Sequence, residues 1–528
     1  MSQDVFTVKI AGPAGSGIKS SGLLLSHILV AHGFNIRDYS EYPSLIRGGH
    51  NTYQVSFSAN ELFAPHYDID VFFSLLPQHW SQHTSEFNQS TLVFGDDAPV
   101  VLPLKDLAQQ IGGHLYVNTL CLGVIAYIFS LNQDTCHQII TQTFGSDTPN
   151  LKAFDLGFDY ASKNYAQSKI TLIFPQKITN DKIYEGNEAY SWGFIAGGGN
   201  FYAAYPMTPS SGAMHFLAGV QEKYKITFIH PEDEIAAASL CAGAVFAGAR
   251  AATGTSGGGF ALMCETVSLC GAANLGVVFY LVSRPGPATG LPTWTSQGDL
   301  LFAVNSGHGE FNKIVIAPGD QAESFEFGAE SLNLAAKFNI PVIVLSDKFV
   351  AESSASLSDL STKKADIIIS QQPLPGTPGQ EYLANSYEHD AAGYAVEDID
   401  TINKNAAVRQ QQRQQIIKSL PSPKLLNNNS SNLIMSWGST KSTILETLKL
   451  LENKYDYLQL TTLWPIDAEI KTILSKYQKI FVIENNATAQ LVTLLKSQFD
   501  FNPVKIILKS DGRPFFPEEL VKELKQYD

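Results

Sequence analysis

Cysteine is scarce and scattered in this chain. Its 528 residues include five, Cys121, Cys136, Cys241, Cys264 and Cys270, an odd number with no Cys-x-x-Cys pair. That spacing argues against a disulfide framework. It also argues against an iron–sulfur cluster held by this chain alone, because such clusters need closely grouped thiolates. Long apolar runs are missing too: none reaches the ~20 residues of a membrane span. Met1 to Ile10 lead directly into a strand pattern, without the basic and apolar regions of a signal peptide. Positive charge is in the minority. The 36 Lys and Arg against 50 Asp and Glu leave a formal charge of −14, which argues against nucleic-acid and anionic membrane surfaces as partners. These absences predict a cytoplasmic protein with reduced thiols. Hydrophobic residues make up 44% and charged residues 16%, enough for well-packed cores in several domains, about three by length.

The chain is organised around Tyr205-Pro206-Met207-Thr208-Pro209-Ser210-Ser211. Two prolines fix φ, remove two backbone donors and push their predecessors towards extended geometry. The segment is therefore a stiff turn, handing an extended approach over to a helix that begins near Gly212. Thr208 carries a hydroxyl on that rigid support. Taken alone, this is an ordinary strand-to-helix connection.

Before it, Val5 to Ile10 read as a buried strand. They run into Gly12-Pro-Ala-Gly15-Ser-Gly17-Ile-Lys19 and on to Gly22, followed by an apolar helix. Strand, glycine-rich turn and helix together suit either an anion cradle or a tightly packed βα turn. The nucleotide-triphosphate pattern fails by one position, since Ile18 separates Gly17 from Lys19. Arg47 and His50 flank a double glycine and make a second candidate loop, for a site, a subunit interface or a plain hairpin. Alternating strands and helices predict an α/β unit with a largely parallel sheet.

After it, Lys225 to His230 form a strand. Pro231-Glu232-Asp233-Glu234 then lead into a helix almost free of polar side chains, which predicts burial on nearly all sides. Acids in a first helical turn are ordinary. Glu234 differs because it sits directly against the apolar run, where burial disfavours its charge unless a donor meets it. A glycine-rich loop, Ala251 to Phe260, follows. Leu275 to Ser283 read as a buried parallel strand with Arg284 at its carboxyl end, where open α/β sheets bind ligands. The rigid Arg284-Pro-Gly-Pro-Ala-Thr289-Gly-Leu-Pro-Thr loop offers a guanidinium suited to a carboxylate, or to an internal ion pair. Ser306-Gly-His308-Gly-Glu310-Phe311 is a candidate rim. Residues 361–430 are polar and loop-rich and read as a linker. Within them, His389 between acids reads as a solvated loop, and no metal site is expected. A small α/β unit, residues 431–528, closes the chain.

As a set, the Tyr-Pro-x-Thr-Pro-Ser-Ser turn, Glu234, the Arg-Pro-Gly-Pro loop and the Gly-His-Gly-Glu-Phe loop resemble the α subunit of 2-oxoacid:ferredoxin oxidoreductases, of the 2-oxoglutarate type. Gly-Pro-Ala-Gly-Ser-Gly and Ser-Leu-Ile-Arg-Gly-Gly-His resemble that family's γ domain, and Asp511-Gly-Arg513-Pro514 also matches. The resemblance implies a γ–α fusion of three α/β units. Residues 1–180 would be the γ domain. Residues 184–360 would be the pyrimidine-binding domain of a thiamine diphosphate enzyme, and 431–528 a transketolase C-terminal-like domain. It implies coenzyme A-dependent oxidative decarboxylation of a 2-oxoacid, 2-oxoglutarate first and pyruvate next, with electrons passing to ferredoxin. A separate β subunit would carry the diphosphate end, its Mg²⁺ and an iron–sulfur cluster, in a heterodimer or heterotetramer.

Carried over, Glu234 contacts the aminopyrimidine ring and favours the tautomer that activates the thiazolium carbon. Tyr205 and Pro206 wall the cofactor. Arg284, Thr289 and Thr208 hold the substrate. Met207 in place of Ile and the glycine-rich Ala196 to Asn200 are departures from the family pattern. Two other readings stay open on the residues: a nucleotide-binding regulatory protein using the Gly12–Gly22 loop, and a non-redox thiamine-dependent decarboxylase or transferase.

Overall fold

Three sheets order the chain, and strands cross between the segments that the sequence pattern separates. The structure, a computed structural model, describes residues 4–44, 48–77, 79–146, 149–176 and 181–527. The first sheet runs Val100–Val101, Phe87–Gly95, Ile69–Ser74, Val5–Ala14, Gly48–Ser58, Asn35–Glu41, Ser354–Leu357, Lys182–Glu185. The half from Val5–Ala14 outward through Ile69–Ser74 is parallel, and the other half is antiparallel. The largely parallel sheet expected here is thus a mixed one. Asn35–Glu41 and Gly48–Ser58 are joined by a short connection, which only antiparallel pairing allows. Its last two strands come from either end of the 184–360 segment.

The second sheet runs Thr227–Ile229, Phe201–Ala203, Ala251–Thr255, Val278–Ser283, Val342–Asp347, Ile314–Ile316, Thr462–Trp464. It is parallel except for the last strand, which arrives from the C-terminal unit. Val278–Ser283 lies near its middle and every residue of it is buried, as its unbroken apolar sequence requires. The helix Gly186–Ala196 crosses Gln321–Phe338 closely. A Cβ at Gly193 would fall 2.0 Å from the Phe325 carbonyl, so the small residues spaced along that helix are what let the backbones meet. The third sheet runs Lys424–Leu426, Asp456–Leu460, Asn432–Trp437, Lys479–Glu484, Lys505–Leu508.

Three local expectations change. The glycine-rich stretch after Arg250 is the strand Ala251–Thr255 followed by the helix Gly257–Ala272. The linker region holds a helix, Ile399–Ser419, in which Ile416 is the one buried residue. It lacks the apolar stripe that would mark it in sequence. The helix Glu234–Phe246 is not buried all round: Ile235 is 51% exposed and Leu240 37%. Among the described residues no single helix is long and apolar enough to cross a membrane.

His66 ties the first unit to the third. Its Nδ1 is 2.8 Å from Glu518 Oε1, and its Nε2 lies 3.6 Å from Glu446 Oε1, beyond hydrogen bonding but close enough for charge attraction. Burial works to lower its pKa, yet Glu446 and Glu518 prevail and raise it to about 9. A raised histidine pKa adds stability that is complete below its ordinary value of 6.5 and is lost as pH climbs through about 9. Thermal unfolding of the natural chain should therefore lose stability over that window relative to His66→Gln. Parallel pH profiles of the two would refute the linkage.

Candidate active site

The candidate residues sit at the carboxyl ends of four neighbouring parallel strands. The turn with Thr208 follows Phe201–Ala203, Glu234 follows Thr227–Ile229, Ser256 follows Ala251–Thr255 and Arg284 follows Val278–Ser283. This is the edge where open α/β sheets bind ligands.

Glu234 opens its helix and is 3% exposed. Asp233, one residue earlier, caps the helix by accepting from the Ala236 N–H at 2.8 Å, so Glu234 is free of that duty. Among the described residues its buried Oε1 has no hydrogen-bond partner, and neither do the hydroxyls of Thr255 and Ser256. A buried unpaired acceptor is costly, and it calls for a donor from outside the chain. The glycine run explains how the neighbours come so close. A Cβ at Gly259 would lie 2.1 Å from Thr255 Oγ1 and 2.7 Å from Glu234 Oε1. One at Gly257 would lie 2.5 Å from Asp299 Oδ2, and one at Gly258 3.5 Å from the Ala288 carbonyl. Three consecutive glycines thus face the acid, the Arg284 loop and Asp299.

Arg284 is 8% exposed. Its Nη1 donates to the Thr208 carbonyl at 2.6 Å, while its Nε is buried without a partner. Burial lowers its pKa from the ordinary value, opposed by Asp299. Burial pushes the Asp299 carboxyl up, against Ser283 and Arg284; Ser283 Oγ donates to Asp299 Oδ2 at 2.8 Å. The turn and the strand-end arginine are therefore one assembly, joined through the Thr208 carbonyl. Thr208–Pro209 and Gly286–Pro287 are cis peptides. The loop beyond Arg284 is where the three units meet. Thr293 Oγ1 donates to the Tyr42 carbonyl at 2.5 Å. Gln297 Nε2 donates to the Trp437 carbonyl at 2.7 Å, and the Arg513 guanidinium covers the Trp294 ring at 4.6 Å.

Other expected residues lie more openly or change role. Thr289 is exposed on the loop, as is Pro206 on the turn, and Tyr205 is partly exposed with its ring 6.0 Å from that of His230. His308 is exposed, 4.0 Å from Glu265. Arg47 lies outside the described residues. His50 is not in a loop but in the strand Gly48–Ser58, sharing hydrogen bonds with His79 at 2.8 Å and His83 at 2.6 Å; burial and those two rings push its pKa down to about 4.

The anion loop also shrinks. Gly12 belongs to the strand Val5–Ala14 and Gly22 to the helix Ile18–Ala31, leaving Gly15 and Gly17 in the turn. Lys19 pairs with Glu185 at 2.7 Å, which puts a carboxylate where a phosphate would sit. Both line a cavity of about 360 Å³ with Tyr42, Glu352, Ser211 and Gly212, behind the turn. Sequence reasoning missed Asn187, Asp299, Thr255 and Ser256. Asn187 looks like a helix start, Asp299 and Thr255 gain meaning only from Gly257 and Gly259, and Ser256 reads as part of the glycine-rich stretch.

A family model for the thiamine diphosphate-binding part of pyruvate flavodoxin/ferredoxin oxidoreductase matches residues 193–419, and one for pyruvate ferredoxin/flavodoxin oxidoreductase matches residues 7–160. The chain is 30% identical to 2-oxoacid:ferredoxin oxidoreductase 1 subunit alpha of Aeropyrum pernix, over 77% of this chain and 70% of that one. It is 42% identical to the 2-oxoglutarate synthase subunit KorA of Archaeoglobus fulgidus, over 34% of this chain and 51% of that protein. A solved 2-oxoglutarate:ferredoxin oxidoreductase from Magnetococcus marinus, with 2-oxoglutarate, coenzyme A and succinyl-CoA bound, superposes with a TM-score of 0.93 at 26% identity, covering 99% of each chain.

The glycine run gives a direct check. Gly259→Ala should destabilise the chain by roughly 1–3 kcal/mol through overpacking against Thr255 and Glu234. Gly258→Ala should be neutral or stabilising by up to about 1 kcal/mol. Urea unfolding of both variants measures the difference, and equal midpoints would refute the close approach.

Proposed function

The chain belongs to the 2-oxoacid:ferredoxin oxidoreductases as an α subunit, and we propose that it forms the substrate half of a site for 2-oxoglutarate in a coenzyme A-dependent enzyme. The observation that carries this reading is the buried Glu234 carboxylate oxygen without a partner among the described residues, at the same sheet edge as Arg284, whose buried Nε is likewise unpaired. These residues fit the aminopyrimidine end of thiamine diphosphate, which offers ring and amino nitrogens to a carboxylate and to hydroxyls. When bound, that cofactor supplies a carbon nucleophile for a 2-oxoacid's keto group.

The chain's own residues have separate tasks. Glu234 accepts a hydrogen bond from the pyrimidine ring and holds a proton there, in a dry setting where the interaction is strong. Thr255 and Ser256 present hydroxyls alongside it. Arg284, with Nη1 committed to Thr208, turns its Nε edge to the substrate's carboxylate. Thr208 and Thr289 present hydroxyls to the keto oxygen, and Tyr205 and Pro206 wall the cofactor. The relative solved with 2-oxoglutarate and the KorA likeness support 2-oxoglutarate as the 2-oxoacid.

We assign the remaining parts to a partner subunit: the diphosphate end with Mg²⁺, the iron–sulfur cluster and the ferredoxin dock. The face formed by Ile235, Leu240 and Leu262, the last 49% exposed, supports such a partner. An apolar helix face of this kind is normally covered. The middle unit is the pyrimidine-binding domain, flanked by the γ-type and C-terminal units.

With the partner subunit present and a viologen acceptor, 2-oxoglutarate should give the highest kcat/KM among 2-oxoacids. Glu234→Gln should leave the fold intact and nearly abolish turnover. Arg284→Ala should lower kcat/KM by the equivalent of roughly 2 to 5 kcal/mol, the usual effect of removing one side of a buried charge pair. Near-normal activity in either variant would sink the site.

A further inference from the structure

We propose that Asn187 is a positioning residue, holding the Thr208 turn in register with Arg284; this rests on the substrate-site reading above. Three successive carbonyls of the turn are each met by a different donor. The Ser210 N–H meets Met207 at 3.0 Å, Arg284 Nη1 meets Thr208 at 2.6 Å and Asn187 Nδ2 meets Pro209 at 2.9 Å. The first bond is internal to the turn, so among the described residues the other two are the side-chain ties that hold its tip.

Both external ties lead to the same strand. Tyr280 donates its hydroxyl to Asn187 Oδ1 at 3.2 Å. Tyr280 lies within Val278–Ser283 and Arg284 directly follows it. The turn is thus tied to that strand directly through Arg284 and indirectly through Tyr280 and Asn187. The indirect tie is stiff. Asn187 is 2% exposed, and Gly212 lies so close that a Cβ there would fall 2.7 Å from its Nδ2. The Tyr280 ring stacks on Tyr190 at 3.9 Å with 7° between planes. An amide is the group this place needs, since it donates to one carbonyl while accepting from a phenol. Aspartate keeps the shape and the acceptor but, when ionised, has no donor for Pro209.

Without Asn187 the tip of the turn loses one of its two side-chain ties and keeps only the Arg284 bond as the other, so it is freer to shift. Misplacing a positioning group by about 1 Å can cost about 100-fold in rate. In the assembled enzyme, Asn187→Ala and Asn187→Asp should each lower kcat/KM for the 2-oxoacid about 10- to 100-fold, mostly by raising KM, while the folded structure survives. The decisive readout is the pair with Arg284→Ala. On that background Asn187→Ala should add less than about threefold, because coupled residues are not additive. Tyr280→Phe keeps the ring stack and should show a smaller loss with the same dependence on Arg284, which serves if Asn187→Ala does not fold. An unchanged kcat/KM in a folded Asn187 variant, or in Tyr280→Phe, would overturn the proposal, as would full additivity with Arg284→Ala. A silent Arg284→Ala would instead overturn the substrate-site reading itself.

Discussion

Arg284 brings a positive charge to the end of a strand with no exposed residue, and the hydrogen bond it donates to the Thr208 carbonyl is what the turn, the loop and the neighbouring strand ends are arranged around. A carbonyl is a dipole, so it meets the guanidinium without cancelling its charge. Asp299 offsets part of that charge, and burial still lowers the arginine's pKa. A buried charge left in this state favours an incoming anion. In the proposed site a carboxylate of the substrate would relieve a burden already built into the fold, and the rigid turn would have its hydroxyl in place before the substrate arrives. Glu234 is the opposite case, an acceptor oxygen in want of a donor. The proposed cofactor and substrate ends would thus be marked by complementary deficits.

The site is also half of something. Its acid begins a helix whose outer face is apolar and open, and the helix Gly257–Ala272 beside it exposes Leu262. The sequence predicted that the first of these helices is buried all round, and the periodicity was right about its composition. In the proposed complex a partner subunit would cover it. The loop after Arg284 is held from the other direction by Tyr42 of the first unit and by Trp437 and Arg513 of the third. The flanking units therefore brace the loop that follows Arg284.

How far the sequence carries follows from how local each signal is. Prolines fix the Tyr205–Ser211 turn within seven residues, and an unbroken apolar run locates Val278–Ser283 and hence Arg284. Glu234 stands out because the helix after it is almost free of polar side chains. Features set by distant partners were illegible. Lys19 reads as a phosphate ligand until Glu185 takes it. Gly257 to Gly259 read as a loop, because a glycine run is a loop signal until the acid and the loop that crowd it are known. Ile399–Ser419 is a helix with almost no buried face, so no periodicity could announce it. Asn187 has no signature at all: its role comes from a carbonyl and a phenol brought to it by the fold.

The exchange of strands among the sheets bears on how this polypeptide could ever be divided. Lys182–Glu185 and Ser354–Leu357 complete the first sheet beyond Asn35–Glu41. A fragment ending before residue 182 would bare the polar backbone edge of Asn35–Glu41, and such an open edge is a template for pairing with other chains. Where a stand-alone counterpart of this first unit exists, it must therefore solve its edge by its own means, with a shorter strand, a charged rim or a protecting segment. Fusion removes that requirement, because the chain that follows supplies the missing cover as it folds.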